Sequence, residues 1–465
     1  MLLIGTGSAL LYVLVHVVQR RMFHGEGDAA EVVLYATATV ILFLLYAALL
    51  VLCRGGLDRR TRVLVLGLAV LFNAAWLAAP PSLSIDVLSY ISHGYVRAGL
   101  GENPHLVPSS AVAASPIAPE LEAYGWRPVH PVTPYGPLTT QLETAVADLP
   151  GSVATKVVAF KAVAVACSLA SALLIWVILG HVRPGRRDLG TVAYLWNPMM
   201  VVELAGEGHN DAVMAVLVLL ALTLTIRRRV AGGIVAMAAA ILTKYLPALL
   251  APLQAAYLWR TRRGTGRLAL QAALGIVVAA VLGAVVFAPY WAGLDTFAGI
   301  RLTGQAGHTG STQTMIVEVL SRLAAESWAR SVVAVVAVCG LLAYVGVRAI
   351  NVRDDQTLLR AAAAVSVAYV LVASPSYWPW YAVLPVALLA LVPGERSLIL
   401  LLALSLGSRL AAPLDVLYVT ETVGRFTYLL VTWLFGIGVP ILALAVPTVG
   451  RASSITAARG RRSDG

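Results

Sequence analysis

One acidic residue, Asp86, stands just beyond a long apolar stretch, in the segment Ser84–Tyr90. A carboxylate at the edge of a membrane span is a candidate general base, because it can take a proton from a hydroxyl group at the membrane surface. If a chemical group is transferred from a phosphate to that hydroxyl, the reaction needs a base and no acid, since the phosphate departs as a stable anion. In the alternative interpretation, Asp86 lies in the first turn of a helix and only stabilises the helix dipole.

Other residues that suit a polar pocket are spread over several motifs. His209 and Asp211 lie in one of them, and the intervening Asn210 is expected to cap the next helix. A histidine in a glycine-rich segment, His308, is predicted either to orient Asp86 or contact phosphate, or to be a solvated loop residue. The residues predicted to bind substrate are Tyr90, Asn103, Tyr135, His209, Asp211, Trp378 and Tyr381.

Several of these residues also have a structural interpretation. The sequences Asn103-Pro104 and Tyr135–Leu138 are typical of turns. The tyrosines could stack on a sugar ring or anchor the chain at the membrane interface. The segment Trp378–Tyr381 is typical of an aromatic belt, and it could also hold the first units of a lipid chain.

Positive charges inside apolar stretches are the candidates for binding phosphate. The chain has three lysines, Lys156, Lys161 and Lys244, and all of them border or enter a predicted span. Charged residues are costly there and usually face a cavity or a partner, although long side chains can also reach the interface. No spacing of acidic or cysteine residues near Asp86 indicates a metal site, so no metal or other cofactor is predicted. The predicted phosphate ligands are Lys161, Lys244, Arg301 and Arg409.

The composition is that of a membrane protein. Hydrophobic residues make up 59% of the 465 residues and charged residues 12%, whereas about a quarter of a soluble domain is charged. The net charge of +11 could suggest a nucleic-acid partner, but the arginines cluster in short loops between apolar runs. Such loops face the cytoplasm by the positive-inside rule. The lipid bilayer is therefore the predicted partner, nucleic acid is not, and most carboxylates, Asp86 among them, fall on the outer side.

The apolar runs predict an all-α integral membrane protein, because many of them reach the roughly 20 residues that cross a bilayer as a helix. The stretch 230–259 has arginines at both ends, so it is predicted to be a re-entrant pair of short helices broken near Lys244. Residues 1–450 are predicted to form one catalytic domain, and 451–465 a disordered basic tail. About twelve full spans are predicted, at 2–18, 32–52, 63–83, 156–180, 190–205, 211–226, 268–291, 328–349, 357–373, 381–393, 397–413 and 426–447.

Three segments between spans hold most of the unusual polar and aromatic residues and are predicted to lie outside the cell. The first, 84–153, contains Asp86, the second is 294–313, and the third is 374–381. Apolar residues recur at helical spacing after Asp86, which predicts a short helix on the outer surface. Pro137 suits the first position of another short helix over 138–148.

Taken in order, these motifs resemble those of the polyprenol-phosphate-sugar-dependent glycosyltransferases of the GT-C superfamily. More narrowly, the chain is similar to the actinobacterial α-(1→6)-mannosyltransferases that use polyprenyl-phosphomannose. The segments that carry the resemblance are Ile85–Tyr90 with Gly101–Pro104, Tyr135–Leu138, Trp196–Pro198 with Gly208–Asp211, Thr243–Pro247 and Tyr377–Tyr381.

The resemblance implies a GT-C-like helical bundle in the plasma membrane, with the active site on the extracytoplasmic face. It implies a polyprenyl-phosphate sugar as donor, a glycolipid or lipoglycan as acceptor, and Asp86 as the general base. It also implies inversion, from a β-linked donor to an α-linked product, without a strict need for a metal. His105 departs from the pattern, because an aromatic residue often follows Asn-Pro in the family.

Two alternatives stay open at this point. The same chemistry could use another polyprenyl-phosphate sugar, such as glucose, galactose or arabinose. A transporter or flippase of lipid-linked sugars would also have broken helices and charges inside the membrane. Such a transporter would place its polar site near the midplane, whereas Asp86 is predicted at the surface.

Overall fold

The computed structural model describes residues 1–23, 29–127, 131–261, 266–305, 309–419 and 421–446, and in these residues the regular structure is helical. This confirms the all-α class. The predicted site residue His308 and the predicted tail 451–465 lie outside the described residues. In chain order the α-helices are α1 (Leu2–Phe23), α2 (Ala29–Leu52), α3 (Arg59–Ala78), α4 (Asp86–Ala98), α5 (Ala118–Ala123), α6 (Pro137–Ala147), α7 (Val153–Val182), α8 (Arg187–Leu195), α9 (Pro198–Met200), α10 (Asp211–Ile226), α11 (Val230–Thr243), α12 (Ala251–Thr261), α13 (Gly266–Phe287), α14 (Ala298–Gln305), α15 (Thr312–Leu320), α16 (Glu326–Ile350), α17 (Asp355–Ala368), α18 (Val383–Leu389), α19 (Glu395–Val419), α20 (Arg425–Trp433) and α21 (Val439–Ala445).

Wider and tighter helical turns join some of these helices. Wide π turns are rare in proteins, and those that occur often lie at functional sites. The π segments of the described chain are Val201–Gly206, Tyr369–Ala373 and Leu434–Gly438, and the 3₁₀ segments are Cys53–Gly55, Ser109–Ala114, Pro184–Arg186, Leu246–Leu250, Asp295–Phe297 and Pro379–Ala382.

Nine helices in the described part of the chain are long and apolar enough to cross a membrane, which makes this a multi-pass membrane protein. The count of about twelve full spans is not confirmed. The predicted spans 190–205 and 211–226 are replaced by α8 and a bent pair, Pro198–Gly206 and Asp211–Ile226, whose axes differ by 117°. The predicted span 381–393 is the short apolar helix Pro379–Leu389.

An Asn-Pro pair explains why the chain does not continue straight through 190–205. Helix α8 ends at Leu195, and the side chain of Asn197 accepts a hydrogen bond from the Met199 N–H at 3.0 Å. Pro198 then takes the first position of the next helix, where its missing N–H costs nothing. An average over hydropathy does not detect this start signal, because the residues around it are apolar.

The predicted break near Lys244 is confirmed. Helix α11 ends at Thr243, Lys244 has an extended backbone, and a 3₁₀ turn over Leu246–Leu250 leads into α12. Pro247 cannot donate the backbone hydrogen bond that an uninterrupted helix would need at this point.

The segment between α3 and α7 folds into α4, α5 and α6, and it packs on the break at Lys244. Asp86 begins α4 and Pro137 begins α6, as predicted. Helix α4 is buried on most sides instead of lying on a surface, because α6 covers it. The N–H of Gly136 donates to the carbonyl of Thr243 at 3.0 Å, so the start of α6 is bound to the end of α11.

Candidate active site

Asp86 is the first residue of α4, and a buried carboxylate holds the chain that leads to it. Glu207 accepts hydrogen bonds from the backbone N–H groups of Ser82 at 3.1 Å, Leu83 at 3.2 Å and Ser84 at 3.2 Å. The N–H of Asp86 donates to the Ser84 hydroxyl at 3.1 Å. Because charge-assisted hydrogen bonds are strong, this set fixes the point from which the Asp86 side chain extends.

The carboxylate of Asp86 lies beside a tyrosine and a histidine. Its Oδ2 is 3.4 Å from the Tyr90 hydroxyl and 3.6 Å from Nδ1 of His209. The Tyr90 hydroxyl and His209 Nδ1 are themselves 3.4 Å apart. Tyr90 follows Asp86 by four residues, so α4 places the two on one face. Burial raises the pKa of the Tyr90 phenol well above its ordinary value, which keeps it a neutral donor.

A buried ion pair lies on the far side of the His209 ring. Nε2 of His209 is 3.1 Å from Oε2 of Glu203, and Glu203 pairs with the guanidinium of Arg409. Arg409 also donates to the Tyr35 hydroxyl at 2.9 Å. With a carboxylate next to each ring nitrogen, the imidazolium form of His209 is favoured, because the two negative charges stabilise the positive ring.

The face of the His209 ring stacks on an indole. The ring centroids of His209 and Trp380 are 4.1 Å apart and the ring planes differ by 21°. Trp380 stacks on Trp378 at 5.1 Å, and Tyr381 meets Trp380 edge-on at 6.4 Å. Trp378 and Tyr381, both predicted to bind substrate, therefore reach the surroundings of Asp86 through Trp380.

A second ion pair joins this group from the break after α11. Nζ of Lys244 donates to Oδ2 of Asp211 at 2.6 Å and lies 5.1 Å from the centre of the Tyr135 ring. The Tyr135 ring meets the Tyr90 ring edge-on at 5.4 Å. Two tyrosines therefore connect the Lys244 pair with the carboxylate of Asp86.

Two charged side chains of this group stay partly open to solvent. The side chain of Asp86 is 13% exposed and that of Lys244 is 14% exposed. The other charged members of the two ion-pair systems described above are exposed by 3% or less. A ligand from outside therefore meets one carboxylate and one ammonium first.

Asn103 links the loop after α4 to the segment that follows α13. Its side-chain amide donates to the Tyr290 carbonyl at 2.9 Å and accepts from the His105 N–H at 3.0 Å. Nδ1 of His105 lies 3.1 Å from the Thr296 carbonyl, and Nε2 lies 3.2 Å from the Thr140 hydroxyl. Burial lowers the pKa of His105 to about 4, so the ring is neutral, with one donor and one acceptor for these two partners.

Lys161 and Arg301, two predicted phosphate ligands, have partners of their own outside the Lys244–Asp211 pair. The Lys161 ammonium donates to carbonyls at the end of α3, among them that of Trp76 at 2.8 Å. A cation at this end stabilises the helix dipole. Arg301 is exposed, and its partner is Asp295 at 3.6 Å.

Sequence reasoning missed three members of the group: Glu203, Glu207 and Trp380. The signal for the two glutamates was available, because a carboxylate inside an apolar run needs a partner. Arg409, predicted to bind phosphate, is instead buried against Glu203. Asn210 precedes α10 as predicted, but its side chain makes no capping hydrogen bond, so that prediction was wrong.

A family model described as the N-terminal domain of alpha-(1->6)-mannopyranosyltransferase matches residues 1–261. The match covers more than half of the chain and includes Asp86, Tyr90, His209 and Lys244. This chain belongs to that family. Arg409 and the stacked tryptophans lie beyond the matched residues and complete the group from the other half of the chain.

A curated relative supports the same assignment. The Alpha-(1->6)-mannopyranosyltransferase A of Corynebacterium glutamicum is 28% identical over 179 residues, which is 37% of this chain and 34% of that protein. The chain thus matches about a third of the length of this relative. No solved structure matches this chain.

Proposed function

We propose that this protein transfers mannose from a polyprenyl-phosphate-mannose donor to a hydroxyl group of a glycolipid or lipoglycan acceptor. The family description, which names a mannopyranosyltransferase, supports the sugar and the class of reaction. The observation that carries the proposal is the pair of accessible charges, Asp86 and Lys244, in a group whose other charges are buried. No metal or other cofactor takes part in the proposed reaction.

In this proposal Asp86 is the general base. The acceptor oxygen forms a bond to the anomeric carbon while the bond from that carbon to the phosphate oxygen breaks. The electron pair of the broken bond leaves with the phosphate, and the proton of the acceptor hydroxyl passes to Asp86. Attack opposite the leaving phosphate inverts the anomeric centre, so a β-linked donor gives an α-linked product.

Lys244 is proposed to bind the donor phosphate. An ammonium suits phosphate as a point charge, and the leaving phosphate gains negative charge, which a neighbouring cation stabilises. Asp211 holds the ammonium in place before the donor arrives. Lys161 and Arg409 keep internal partners, so the proposal gives them structural roles, and the contribution of Arg301 stays a prediction.

The aromatic side chains around Asp86 are proposed to bind the sugar and the first part of the lipid. Tyr90 and Tyr135 lie between Asp86 and Lys244, where a sugar attached to a bound phosphate must pass. Trp378 and Tyr381 extend the aromatic surface beyond His209. Faces of aromatic rings suit both sugar rings and isoprene units, because both offer flat C–H surfaces.

The site is proposed to lie on the extracytoplasmic face of the plasma membrane. The arginine-rich loops connect helix ends other than the one next to Asp86. By the positive-inside rule such loops stay in the cytoplasm. A lipid-linked donor fits this location, because its phosphate and sugar project from the membrane while its chain stays in it.

Replacing Asp86 tests the proposed base. Asp86→Asn keeps the shape of the side chain and removes its basicity, so we expect transfer of mannose from polyprenyl-phosphomannose to fall by about 10²-fold or more. Binding of the donor should change little. Asp148→Asn, at an exposed position in the same outer segment, is the matched control and should keep full activity. Transfer by Asp86→Asn at the rate of the control would contradict the assignment.

The sugar is tested separately by the choice of donor. Purified protein is incubated with polyprenyl-phosphate-linked mannose, glucose, galactose and arabinose in parallel, and glycolipid products are measured. The proposal expects turnover with mannose. Turnover with another donor and none with mannose would keep the role of Asp86 and refute the choice of sugar.

A further inference from the structure

Two buried polar side chains next to the Lys244–Asp211 pair have unused hydrogen-bonding capacity. Among the described residues, neither carboxyl oxygen of Glu143 and neither side-chain polar atom of Asn210 has a hydrogen-bond partner. Glu143 is fully buried and Asn210 is 1% exposed. Leaving a buried polar group unpaired is costly, so such groups in a folded protein need an explanation.

Glu143 lies where three parts of the outer structure meet. Helix α4 packs on its backbone, because a Cβ on Gly94 would be 2.0 Å from the Glu143 carbonyl oxygen. Helix α6, which carries Glu143, is bound at its start to the carbonyl of Thr243, the residue before Lys244. The ammonium of Lys244 acts electrostatically on the Glu143 carboxyl, but burial dominates and raises the pKa of Glu143 well above its usual range.

Asn210 lies on the other partner of Lys244. It directly precedes Asp211, whose carboxylate binds the Lys244 ammonium at 2.6 Å. It also follows His209, which contacts Asp86 at 3.6 Å. An asparagine before a helix usually accepts a hydrogen bond from the first turn, and here that bond is absent, so the amide is free for another partner.

We infer that Glu143 and Asn210 form a subsite for the hydroxyl groups of the transferred sugar, next to the phosphate site at Lys244. This inference rests on the proposed function, and it adds the residues that recognise the sugar. A neutral carboxyl and a carboxamide each offer both a donor and an acceptor, as vicinal sugar hydroxyls require. Both residues lie on elements joined to the Lys244–Asp211 pair, because α6 begins at the carbonyl of Thr243 and Asn210 precedes Asp211.

A purely structural role and a sugar-binding role of Glu143 differ in what an apolar replacement does to the binding of the sugar. If Glu143 serves only the fold, its unpaired carboxyl is a defect, and an apolar replacement should stabilise the protein at no cost to binding. If it serves the sugar, the same replacement stabilises the empty protein and weakens recognition of the sugar. Function and stability then change in opposite directions, as expected for a binding residue that is unsatisfied without its ligand.

The test measures binding without an acceptor, so no turnover takes place. The dissociation constants of polyprenyl-phosphomannose and of sugar-free polyprenyl phosphate are obtained from ligand-dependent thermal stabilisation in detergent. Their ratio reports the contribution of the sugar. The variants are Glu143→Leu, Asn210→Leu and the conservative Glu143→Gln, and the control is Thr432→Val, which removes another buried and unpartnered hydroxyl, on α20.

We expect the dissociation constant of polyprenyl-phosphomannose, divided by that of polyprenyl phosphate, to rise by about tenfold in Glu143→Leu and in Asn210→Leu, with binding of polyprenyl phosphate unchanged. Glu143→Gln and Thr432→Val should keep the ratio of the unchanged protein. An unchanged ratio in both leucine variants would overturn the inference, as would a protein that does not prefer the sugar-bearing lipid at all.

A second arm uses the unchanged protein and therefore does not depend on how the variants fold. Donors that lack one sugar hydroxyl are compared with the full donor. Removing a hydroxyl that Glu143 or Asn210 binds should weaken binding of the donor, and deoxy donors that all bind like the full donor would overturn the inference. If sugar-dependent binding is seen while Asp86→Asn transfers sugar normally, the proposed mechanism fails and the subsite stands.

Discussion

At the residue scale, the ring of His209 determines how the candidate base is held. One ring nitrogen lies 3.6 Å from Asp86 and the other 3.1 Å from Glu203. A change at Glu203 is therefore transmitted to Asp86 through the His209 ring. Arg409 balances the charge of Glu203 from within the protein. Buried pairs of this kind contribute little net stability, but removing one partner leaves an unpaired charge.

Two variants distinguish a role of Glu203 in positioning His209 from a role in the stability of the protein. Glu203→Gln should lower the free energy of unfolding by about 3–5 kcal/mol, because the charge of Arg409 is left without a partner. Combining it with Arg409→Met removes that charge and should restore most of the melting temperature. Mannosyl transfer should stay low in both variants, since His209 has lost the carboxylate beside its Nε2 and keeps only Asp86. A stable double variant with normal activity would show that Glu203 serves only Arg409.

The buried carboxyl of Glu143 should make stability depend on pH. Burial raises the pKa of Glu143 in the folded protein above that of the unfolded chain, so the folded state holds the proton more strongly. This contribution is fully present below the pKa of the unfolded chain and is lost as the pH rises through the folded pKa. The difference in melting temperature between Glu143→Gln and the unchanged protein should therefore move in favour of Glu143→Gln as the pH rises above the ordinary pKa of a glutamate, whereas Glu122→Gln, at an exposed site, should show no such trend.

At the element scale, the close packing of α4 on α6 places Asp86. Gly94 permits this approach, because a Cβ there would be 2.0 Å from the carbonyl oxygen of Glu143. Gly94→Ala should push the helices apart, lowering both the melting temperature and the rate of sugar transfer. The matched control is Gly67→Ala on α3, where a Cβ would meet nothing within 4 Å and helix propensity should add up to about 1 kcal/mol. Equal effects of the two changes would contradict this account.

The elements of the outer segment could be predicted because their signals are local. Asp86 in a first turn, Pro137 at a helix start and the break near Lys244 follow from residue type and neighbours, and the structure has all three. The predicted count of spans is not confirmed at the helix start Asn197-Pro198, between α8 and α9, because averaging over hydropathy hides this local signal. The burial of α4 was also missed, because the cover of a helix depends on residues far away in the chain.

The composition of the site could be predicted only in part. Asp86, Tyr90, Tyr135 and His209 come together as the motifs suggest. The roles of the cations could not be assigned from sequence, because a lysine or arginine in a span is equally suited to a phosphate, a helix end or a carboxylate. Tertiary packing decides among these partners, and it gives Arg409 a carboxylate.

At the scale of the whole molecule, the orientation in the membrane can be tested directly. The three cysteines are replaced by alanine, and single cysteines are introduced by Glu102→Cys in the outer segment and Arg353→Cys between α16 and α17; both positions are exposed. A maleimide that cannot cross membranes should label the first variant in intact cells and the second only after permeabilisation. The reverse pattern would place Asp86 in the cytoplasm and refute the proposed location.

The stack of Trp378, Trp380 and the His209 ring also gives the protein an optical signal of its own. An imidazolium in contact with an indole quenches its emission, and two nearly parallel, stacked indoles 5.1 Å apart couple in the near-ultraviolet circular dichroism spectrum. A lipid that displaces either ring would alter both signals, and Trp380→Phe identifies the contribution of the stack. Occupancy by a colourless substrate can then be followed in real time without attaching a dye.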